Sequence, residues 1–498
     1  MNDSRKLAGQ LVMVRLAGTE LDAGQAAFLN DNGIRAACLF RQNMVNAAQL
    51  SRLNAGLRAL MGADALLALD QEGGAVVRTT WVPAPPSAMA LGAADDVDLA
   101  RAVGAAVAHA VKSLGFNWNF APVLDLNNNP HNPVIAERSF GADPIRATEL
   151  AMAWMAGSQA EGVACCVKHF PGHGDTSVDS HRDLPTVDKP LAELARCEFA
   201  PFRRAAASAP AMMTAHIIYP ALDGAFPATL SRTILTGLLR EQWQYRGVVI
   251  TDAMDMHAIA HRYGAGHAAV MALAAGADMV MALGSVTIQQ QTIDAIAAAI
   301  DDGTLALADV EQKLARLATL ARSYPCQPPD HATGADPAHD AAERALMAAA
   351  WQRALTVRGD ARRPPPGARV RLLVRQDVIS DGVSEAGVPA AAVAARLASL
   401  YDVDSVTYDD AERFDWHALP ADGRFTILAS TSRLRYGPRA RATWQPDLHL
   451  ALWNPYQALD IAAPALITYG FAAPALDAVI AWLDGSLEAR GRCPVPGF

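Results

Sequence analysis

The residues with the most chemical potential lie in one segment, KHFPGHGDTSVDSHRDLP at 168–185, which contains three histidines, three aspartates and a lysine. Its prolines and glycines favour sharp backbone turns, so we expect a loop that folds over a site and not a helix. Asp179 and His181 are two residues apart, close enough for the carboxylate to hold and polarise the imidazole. This pair makes His181 a candidate proton shuttle near neutral pH.

Two other chemistries fit parts of this segment. His169, His173 and His181, together with three carboxylates, are residue types that bind metal ions. Metal-dependent barrel hydrolases usually carry a His-x-His pair after the first strand, however, and the first apolar run here ends VRLAG without a histidine. Lys168 could form a Schiff base, although polyol binding also explains a lysine at this position. We predict no metal and no cofactor, and both alternatives stay open.

A second candidate is Asp252 in the segment GVVITDAMDM. The apolar residues before it predict a buried strand that ends at this aspartate. A carboxylate in that position could attack an electrophilic carbon, such as the anomeric carbon of a sugar. Asp255 follows three residues later and could be the working group instead, but the position at the strand end favours Asp252.

Two further segments combine acidic and basic side chains. LDQEGGAVVR places Asp70 at a predicted strand end and Arg78 eight residues later, and VIAERSFGADP places Arg138 after an Asn/Pro-rich loop. A carboxylate and a guanidinium at one rim suit bidentate hydrogen bonding to the hydroxyls of a sugar. A surface ion pair that follows a glycine turn is the alternative explanation for Asp70 and Arg78.

The hydrophobic pattern supplies the elements that could bring these residues together. Short apolar runs alternate with segments of helical period. The eight runs are LVMVRLAG, IRAACLF, ALLALDQEGG, FNWNFAPVLDL, VACCVKHFPG, AMMTAHIIY, GVVITDAMDM and ADMVMALG. Strands that alternate with helices predict a parallel sheet, and eight such units predict an α/β fold with a TIM-like (β/α)8 barrel.

Polar residues fall at the carboxyl-terminal ends of these runs, which is the edge where barrel enzymes place their chemistry. The residues that close predicted strands are Asp70, Asp125, Lys168 with His169, His216 and Asp252. His216 taken alone is more simply explained as a hydrogen-bonded core residue. The convergence of the whole set on one rim predicts a site there.

The pattern changes after residue 320, where SYPCQPPDHATGADPAHD has the composition of a linker. Further strand candidates follow and alternate with helical patterns; they are RVRLLV, FTILAS, LHLALW and ALITYG. We predict a catalytic barrel over 1–325, a linker over 326–340 and a smaller α/β sandwich-like domain over 341–498.

Composition limits the class of protein. The 498 residues are 51% apolar and 19% charged, which is typical of a soluble globular chain. The formal charge of -9 is spread without a basic cluster, so we expect no nucleic-acid partner. The N-terminus lacks a signal-peptide pattern, and no run approaches the roughly 18 apolar residues of a membrane span. The six cysteines look like small core residues, which favours a reducing cytoplasm.

Taken together, the four segments resemble glycoside hydrolase family 3, and in particular its bacterial β-N-acetylglucosaminidase branch of peptidoglycan recycling. KHFPGHGDTSVDSH is close to the full signature of that branch, and the resemblance covers residues 1 to about 320. It implies a retaining glycosidase in which Asp252 is the nucleophile. It also implies that His181 is the acid/base, assisted by Asp179.

The resemblance further implies which residues contact the hydroxyls of N-acetylglucosamine, namely Asp70, Arg78, Arg138, Lys168 and His169. The implied partner is a small carbohydrate, either a peptidoglycan fragment or a chitooligosaccharide. The C-terminal region is similar to the α/β sandwich domain of larger family members. We expect this second domain to be a structural buttress that contributes no site residue.

Three other functions compete with this interpretation. A family 3 β-glucosidase or β-xylosidase would need a glutamate acid/base outside the barrel and would leave the Asp179/His181 segment unexplained. A phosphorylase fits because a histidine acid/base does not repel phosphate as a carboxylate would. A sugar-binding protein on an inactive barrel should lack the nucleophile or the acid, and both are present.

Overall fold

The computed structural model describes residues 3–177, 184–328, 337–378, 383–384 and 387–498. Within these ranges, eight parallel strands close into a barrel in sequence order. They are β1 (Val12–Arg15), β2 (Ala36–Cys38), β3 (Leu66–Leu69), β4 (Trp118–Asn119), β5 (Ala164–Phe170), β6 (Ala211–Thr214), β7 (Val248–Ala253) and β8 (Met279–Ala282). Each predicted run contains one strand, so the predicted TIM-like barrel is confirmed.

The barrel strands are almost wholly buried, because helices cover their outer side. Burial on both faces explains why the sequence shows continuous apolar runs instead of alternation. The register shifts between residues 167 and 170 of β5 and between residues 250 and 253 of β7. Such irregularities re-aim side chains, and they occur where Lys168, His169 and Asp252 lie.

Helices surround the barrel. They are α1 (Asp3–Gln10), α2 (Ala23–Asn32), α3 (Ala47–Met61), α4 (Ala88–Ala94), α5 (Val97–Ser113), α6 (Pro144–Ala160), α7 (Leu191–Arg196), α8 (Phe199–Ala205), α9 (His257–Tyr263), α10 (Ala265–Ala275), α11 (Val286–Asp301) and α12 (Leu307–Ser323), with a π-helix at Thr233–Gln242. In the part of the chain that the structure describes, no helix has both the length and the apolar character that a membrane crossing requires.

Helices α5 and α6 make an unusually close contact through glycines. A β-carbon added at Gly157 would lie 2.0 Å from the carbonyl oxygen of Arg101, and one added at Gly104 would lie 2.1 Å from that of Trp154. Helix α6 is fixed at its start by the side chain of Asp143, which accepts hydrogen bonds from two backbone N–H groups of the first turn. The backbones can approach this closely only because neither glycine carries a side chain.

A second domain follows the barrel. Its elements are α13 (Pro337–Ala354), β9 (Thr356–Arg358), β10 (Arg369–Arg375), α14 (Ala390–Leu397), β11 (Asp402–Tyr408), β12 (Phe425–Ser430), α15 (Pro438–Thr443), β13 (Leu448–Ala451), α16 (Gln457–Asp460), β14 (Ala465–Ile467) and α17 (Ala473–Leu483). Among the described residues the sheet has six strands in the order β11-β10-β12-β13-β14-β9, and only β9 is antiparallel. The predicted α/β sandwich is confirmed.

Two strands of this sheet were not predicted. Most residues of β11 are exposed at the sheet edge, so the strand leaves no apolar run in the sequence. Strand β9 is only three residues long. Helix α13 begins at Pro337, within the segment predicted as a linker. The domain limits at 325 and 340 stay predictions.

The two domains are joined by packing and by hydrogen bonds. Helix α13 packs against α4 and α5 of the barrel. Trp351 Nε1 donates to the carbonyl of Ala84 at 3.1 Å, and Ser87 Oγ donates to the carbonyl of Tyr469 at 2.7 Å. An apolar cluster that contains Met89 and Trp351 spans the same contact. The second domain is therefore seated on the barrel beside the segment that follows β3.

Gly157→Ala should destabilise the protein through the clash with the Arg101 carbonyl. Overpacking of this kind costs about 1–3 kcal/mol of unfolding free energy, which urea denaturation can measure. Gly56→Ala in α3 is the matched control, because its added methyl group would make an ordinary contact at 3.6 Å. The control should keep or slightly raise stability, by up to about 1 kcal/mol. Equal effects of the two substitutions would contradict the close-contact explanation.

Candidate active site

One cavity at the carboxyl-terminal ends of the barrel strands gathers most of the predicted site. Six predicted residues line it, namely Asp70, Arg78, Arg138, Lys168, His169 and Asp252. The remaining two, Asp179 and His181, lie outside the described residues. The described part of the predicted site is therefore brought together at one place.

Lys168 lies at the centre of the charged groups. Its side chain is only 3% exposed, and its Nζ is 2.7 Å from both Asp70 Oδ1 and Glu72 Oε1. Burial alone would lower the pKa of Lys168, but the two carboxylates outweigh burial and raise the pKa above its usual value. A protonated amine is not a nucleophile, so this environment disfavours the Schiff-base alternative.

Glu72 is a member of the site that the sequence analysis missed. It forms a bidentate pair with Arg138, whose Nε and Nη2 donate to its two carboxylate oxygens at 2.9 and 2.8 Å. Burial alone would lower the pKa of Arg138, but the charge of Glu72 and its hydrogen bonds outweigh burial and raise the pKa above its usual value. Glu72 lies two residues after Asp70 in LDQEGGAVVR, but only its pairing with Arg138 and Lys168 in three dimensions marks it as a site residue.

Arg78 connects the cavity to the second domain. Its Nη2 donates to Asp70 Oδ2 at 3.2 Å, and its Nη1 donates to the carbonyl oxygen of Val383 at 3.0 Å. Val383 also lines the cavity. Burial would raise the pKa of Asp70, but Lys168 and Arg78 together hold it below its usual value. The expectation that the second domain contributes nothing to this cavity is therefore wrong.

Asp125 orients two histidines below the rim. One of its oxygens is 2.6 Å from His169 Nδ1, and the other accepts the backbone N–H of His173 at 2.6 Å. Because a carboxylate accepts, Nδ1 of His169 donates and Nε2 is the nitrogen that can meet a ligand. Burial and the charge of His169 lower the pKa of His173 to about 4, so His173 is neutral near pH 7.

Asp252 lies in β7 at the cavity wall. Its Oδ1 accepts the backbone N–H of Ala253 at 2.7 Å. The carbonyl of Ala253 in turn accepts from His216 Nε2 at 3.0 Å. His216 is buried and also contacts Thr229 at 2.8 Å, as expected for a hydrogen-bonded core residue. Asp255 is exposed and does not belong to the described lining of the cavity.

The two ends of the 168–185 segment are anchored at the rim. Asn132 Nδ2 donates to the carbonyls of His173 and Gly174 at 2.8 and 3.0 Å. Gly174 has no room for a side chain, since an added β-carbon would lie 1.6 Å from the Leu126 carbonyl oxygen. At the far end, the carbonyl oxygen of Pro185 accepts the backbone N–H of Ile218 at 2.9 Å. The residues between these anchors include the predicted acid/base pair.

The metal alternative involved His169, His173 and His181. Among the residues that the structure describes, no group of three or more histidines, cysteines, aspartates or glutamates is arranged to hold a metal ion. His169 and His173 direct their Nδ1 atoms to Asp125 and Thr176 instead. His181 lies outside the described residues, so a metal site that includes His181 is not tested.

Glu72→Gln should flatten the acid dependence of stability. Burial would raise the pKa of Glu72, but the charges of Arg138 and Lys168 outweigh burial and hold it well below its usual range. This stabilisation is complete above the pKa of the unfolded chain, about 4.3, and is lost as the pH falls toward the folded pKa. Below about pH 4 the unfolding free energy of the wild type should fall more steeply than that of the variant, by about 1.4 kcal/mol per pH unit.

Urea unfolding between about pH 6 and about pH 3 measures this difference. Glu311→Gln, which removes one carboxylate from the exposed side of α12, controls for the loss of a negative charge. Parallel pH curves for the wild type and Glu72→Gln would mean that the buried ion pairs do not depress the pKa of Glu72.

Comparison with known proteins places these features in a family. Residues 4–320 match the model described as the Glycosyl hydrolase family 3 N terminal domain. The chain is 36% identical over 355 residues to a β-hexosaminidase A of Pseudoalteromonas piscicida, which covers 65% of this chain but only 58% of that relative. A β-hexosaminidase of Chromobacterium violaceum is 39% identical over 301 residues, covering 58% of this chain and 82% of the relative.

A solved structure agrees over the whole length. The family 3 β-N-acetylglucosaminidase from Paenibacillus sp. str. FPU-7 superposes with a TM-score of 0.88 at 30% identity and covers 100% of this chain and 99% of its own. These matches confirm the resemblance inferred from the four sequence segments, including its β-N-acetylglucosaminidase branch. The chain belongs to glycosyl hydrolase family 3.

Proposed function

We propose that this protein is a retaining β-N-acetylglucosaminidase that releases terminal β-linked N-acetylglucosamine from peptidoglycan fragments or chitooligosaccharides. The observation that carries the proposal is the cavity in which Asp252 faces a set of paired, buried charges. The names of the similar proteins, β-hexosaminidases and a β-N-acetylglucosaminidase, support the choice of sugar.

The paired charges bind the hydroxyls of the terminal sugar. Asp70 accepts hydrogen bonds, Arg78, Lys168 and Arg138 donate them, and His169 presents its Nε2 to the sugar. Each group already pairs with another side chain of the protein, so it is oriented before the sugar arrives. Preorganisation of this kind lowers the entropic cost of binding and holds the anomeric carbon in place for attack.

The chemistry proceeds in two displacements. The Asp252 carboxylate attacks the anomeric carbon, and the bond to the leaving oxygen breaks as that oxygen takes a proton from His181. Water then attacks the same carbon and gives a proton back to His181, which releases the carboxylate of Asp252. Two inversions at one carbon retain the β configuration. Asp179 stabilises the charged form of His181.

Both ends of the segment that carries His181 support this assignment. Asn132 fixes the incoming end and Ile218 the outgoing end, next to the cavity. The assignment of His181 and Asp179 depends on the sequence motif, since both lie outside the described residues.

We also propose a cytoplasmic location and a role in peptidoglycan recycling. All six cysteines are unpaired, and Cys38, Cys165, Cys166 and Cys326 are buried. Burial raises the pKa of the Cys165 thiol to about 12, so this group stays an unreactive thiol. Unpaired cysteines are typical of proteins from reducing compartments.

Asp252→Asn should abolish turnover of p-nitrophenyl N-acetyl-β-glucosaminide, because an amide cannot form the glycosyl ester. We expect kcat to fall by at least about a thousandfold. With the wild type, a slow fluorinated substrate should leave a covalent sugar on the peptide that contains Asp252, detected by mass spectrometry. Asp255→Asn is the control and should keep most of its activity. An adduct on Asp255, or faster wild-type turnover of the corresponding glucoside, would contradict the proposal.

His181→Ala should act according to the leaving group. A poor leaving group needs protonation, so kcat/KM for a glycoside that carries one should fall by about a hundredfold to ten-thousandfold. A nitrophenyl leaving group needs little protonation, so kcat/KM for the nitrophenyl glycoside should fall much less. The measurement is kcat/KM for a series of aryl and alkyl glycosides.

Equal kcat/KM for the wild type and His181→Ala across this series would exclude the acid role. Inorganic phosphate added to the wild-type assay should leave the rate unchanged. An acceleration by phosphate, with release of a sugar phosphate, would identify a phosphorylase instead.

A further inference from the structure

A buried arginine of the second domain lies between two segments that reach the cavity. Arg433 follows β12 and its side chain is 6% exposed. Its Nη2 donates to Glu137 Oε1 at 2.7 Å and to Ser384 Oγ at 2.8 Å. Glu137 directly precedes Arg138, and Ser384 directly follows Val383. The guanidinium of Arg433 therefore contacts the residues that directly adjoin Arg138 and Val383 in the sequence.

The contact with Glu137 is well built. The carboxylate is buried and also accepts from Trp453 Nε1 at 2.8 Å. The guanidinium of Arg433 lies over the Trp453 ring, 5.4 Å from its centre. Both partners follow strands of the second domain at their carboxyl-terminal ends. A buried carboxylate held by a cation and an N–H donor is costly to leave unpaired, so this contact fixes the position of Glu137.

The turn that carries Arg138 needs such a contact. Ala136 has φ 39°, a left-handed conformation that residues other than glycine rarely adopt. Such a conformation persists only where the surroundings hold it in place. The carbonyl of Val134 accepts from Arg138 Nη1 at 3.2 Å and lies 3.5 Å from Arg433 Nη1. The backbone around Arg138 is thus held from the second domain.

The contact with Ser384 acts on the other side of the cavity. Arg78 Nη1 donates to the carbonyl of Val383 at 3.0 Å. Because Arg433 binds the Ser384 hydroxyl, it helps to place this carbonyl. Asp70 and Glu72 supply the charges that the two cavity arginines need, whereas Arg433 places the backbone segments beside those arginines.

We propose that Arg433 is a positioning residue that sets the sugar-binding geometry of Arg78 and Arg138 from the second domain. This inference rests on the proposed function of the cavity. Arg433 does not itself line the cavity, so its effect passes through Glu137 and Ser384. The second domain then acts as part of the binding site and not only as a support for the barrel.

Arg433→Met tests the proposal. The substitution keeps the length and apolar contact of the side chain but removes every donor. Misplaced arginines weaken binding of the sugar in the ground state and the transition state alike, which raises KM and leaves kcat nearly unchanged. With p-nitrophenyl N-acetyl-β-glucosaminide we expect KM to rise by about tenfold or more and kcat to stay within about threefold.

The control is Arg371→Met in the same domain. Arg371 is equally buried and pairs with Asp422 at 2.7 Å, within the second domain and away from the cavity. Its loss removes a buried arginine from the same domain but leaves a partly exposed carboxylate instead of a buried one, and KM should stay within about twofold of the wild type. Equal KM values for the Arg433 and Arg371 variants would overturn the proposal, and so would a fall in kcat without a rise in KM.

A double variant covers the case in which Arg433→Met does not fold. Glu137→Gln combined with Arg433→Met removes both buried charges and keeps an acceptor for Trp453. The folded double variant should show the raised KM, and a wild-type KM would overturn the proposal. Arg433→Lys keeps the charge and should restore part of the affinity.

Calorimetric binding of N-acetylglucosamine separates this proposal from the proposed function. If the wild type binds the sugar but does not cleave the glycoside, the proposed function fails while the inference predicts the same loss of affinity for Arg433→Met. If the wild type cleaves the glycoside and the affinity of Arg433→Met for the sugar equals that of Arg371→Met, only the inference fails. A wild type that neither binds nor cleaves overturns both.

Discussion

The ammonium of Lys168, held between Asp70 and Glu72, is the interaction on which the candidate site depends. Both contacts are 2.7 Å and the ammonium is almost without solvent. Removing a charge from water is costly unless partners replace the water. The carboxylates of Asp70 and Glu72 replace water around the ammonium of Lys168. Arg78 in turn pairs with Asp70, and Arg138 pairs with Glu72. The result is a row of alternating charges across the mouth of the barrel.

This row joins parts of the chain that are far apart in sequence. Asp70 and Glu72 follow β3, Lys168 lies in β5, and Arg138 lies in the turn before α6. Because each group balances its neighbour, the loops cannot move independently without leaving a buried charge unpaired. A rigid set of oriented donors and acceptors suits recognition of a sugar, whose hydroxyls differ mainly in direction. The second domain extends the same constraint through Arg433 and Glu137.

The sequence predicts the barrel because its strands are buried on both faces and each leaves an apolar run. It also predicts the cavity residues at strand ends, since the carboxyl edge of a barrel collects them. It does not reveal Glu72, which follows a strand end within a glycine turn and gains its role only from Arg138 and Lys168 in three dimensions. Strand β11 is missed because its exposed residues carry no hydrophobic pattern.

The role of the second domain is hidden from the sequence for a different reason. Val383 contributes a backbone carbonyl, which any residue could supply, so its side chain carries no signal. Arg433 and Glu137 are 296 residues apart and pair only through the seating of one domain on the other. Contacts of this kind depend on the relative position of two folded domains. The local hydrophobic pattern of the sequence carries no information on that position.

A retaining reaction at the anomeric carbon of N-acetylglucosamine is tested most directly by the stereochemistry of its first product. Proton NMR of the sugar released from p-nitrophenyl N-acetyl-β-glucosaminide, recorded before mutarotation, distinguishes the two anomers. A carboxylate nucleophile at Asp252 predicts the β-anomer as the first product. The α-anomer as the first product would contradict the account.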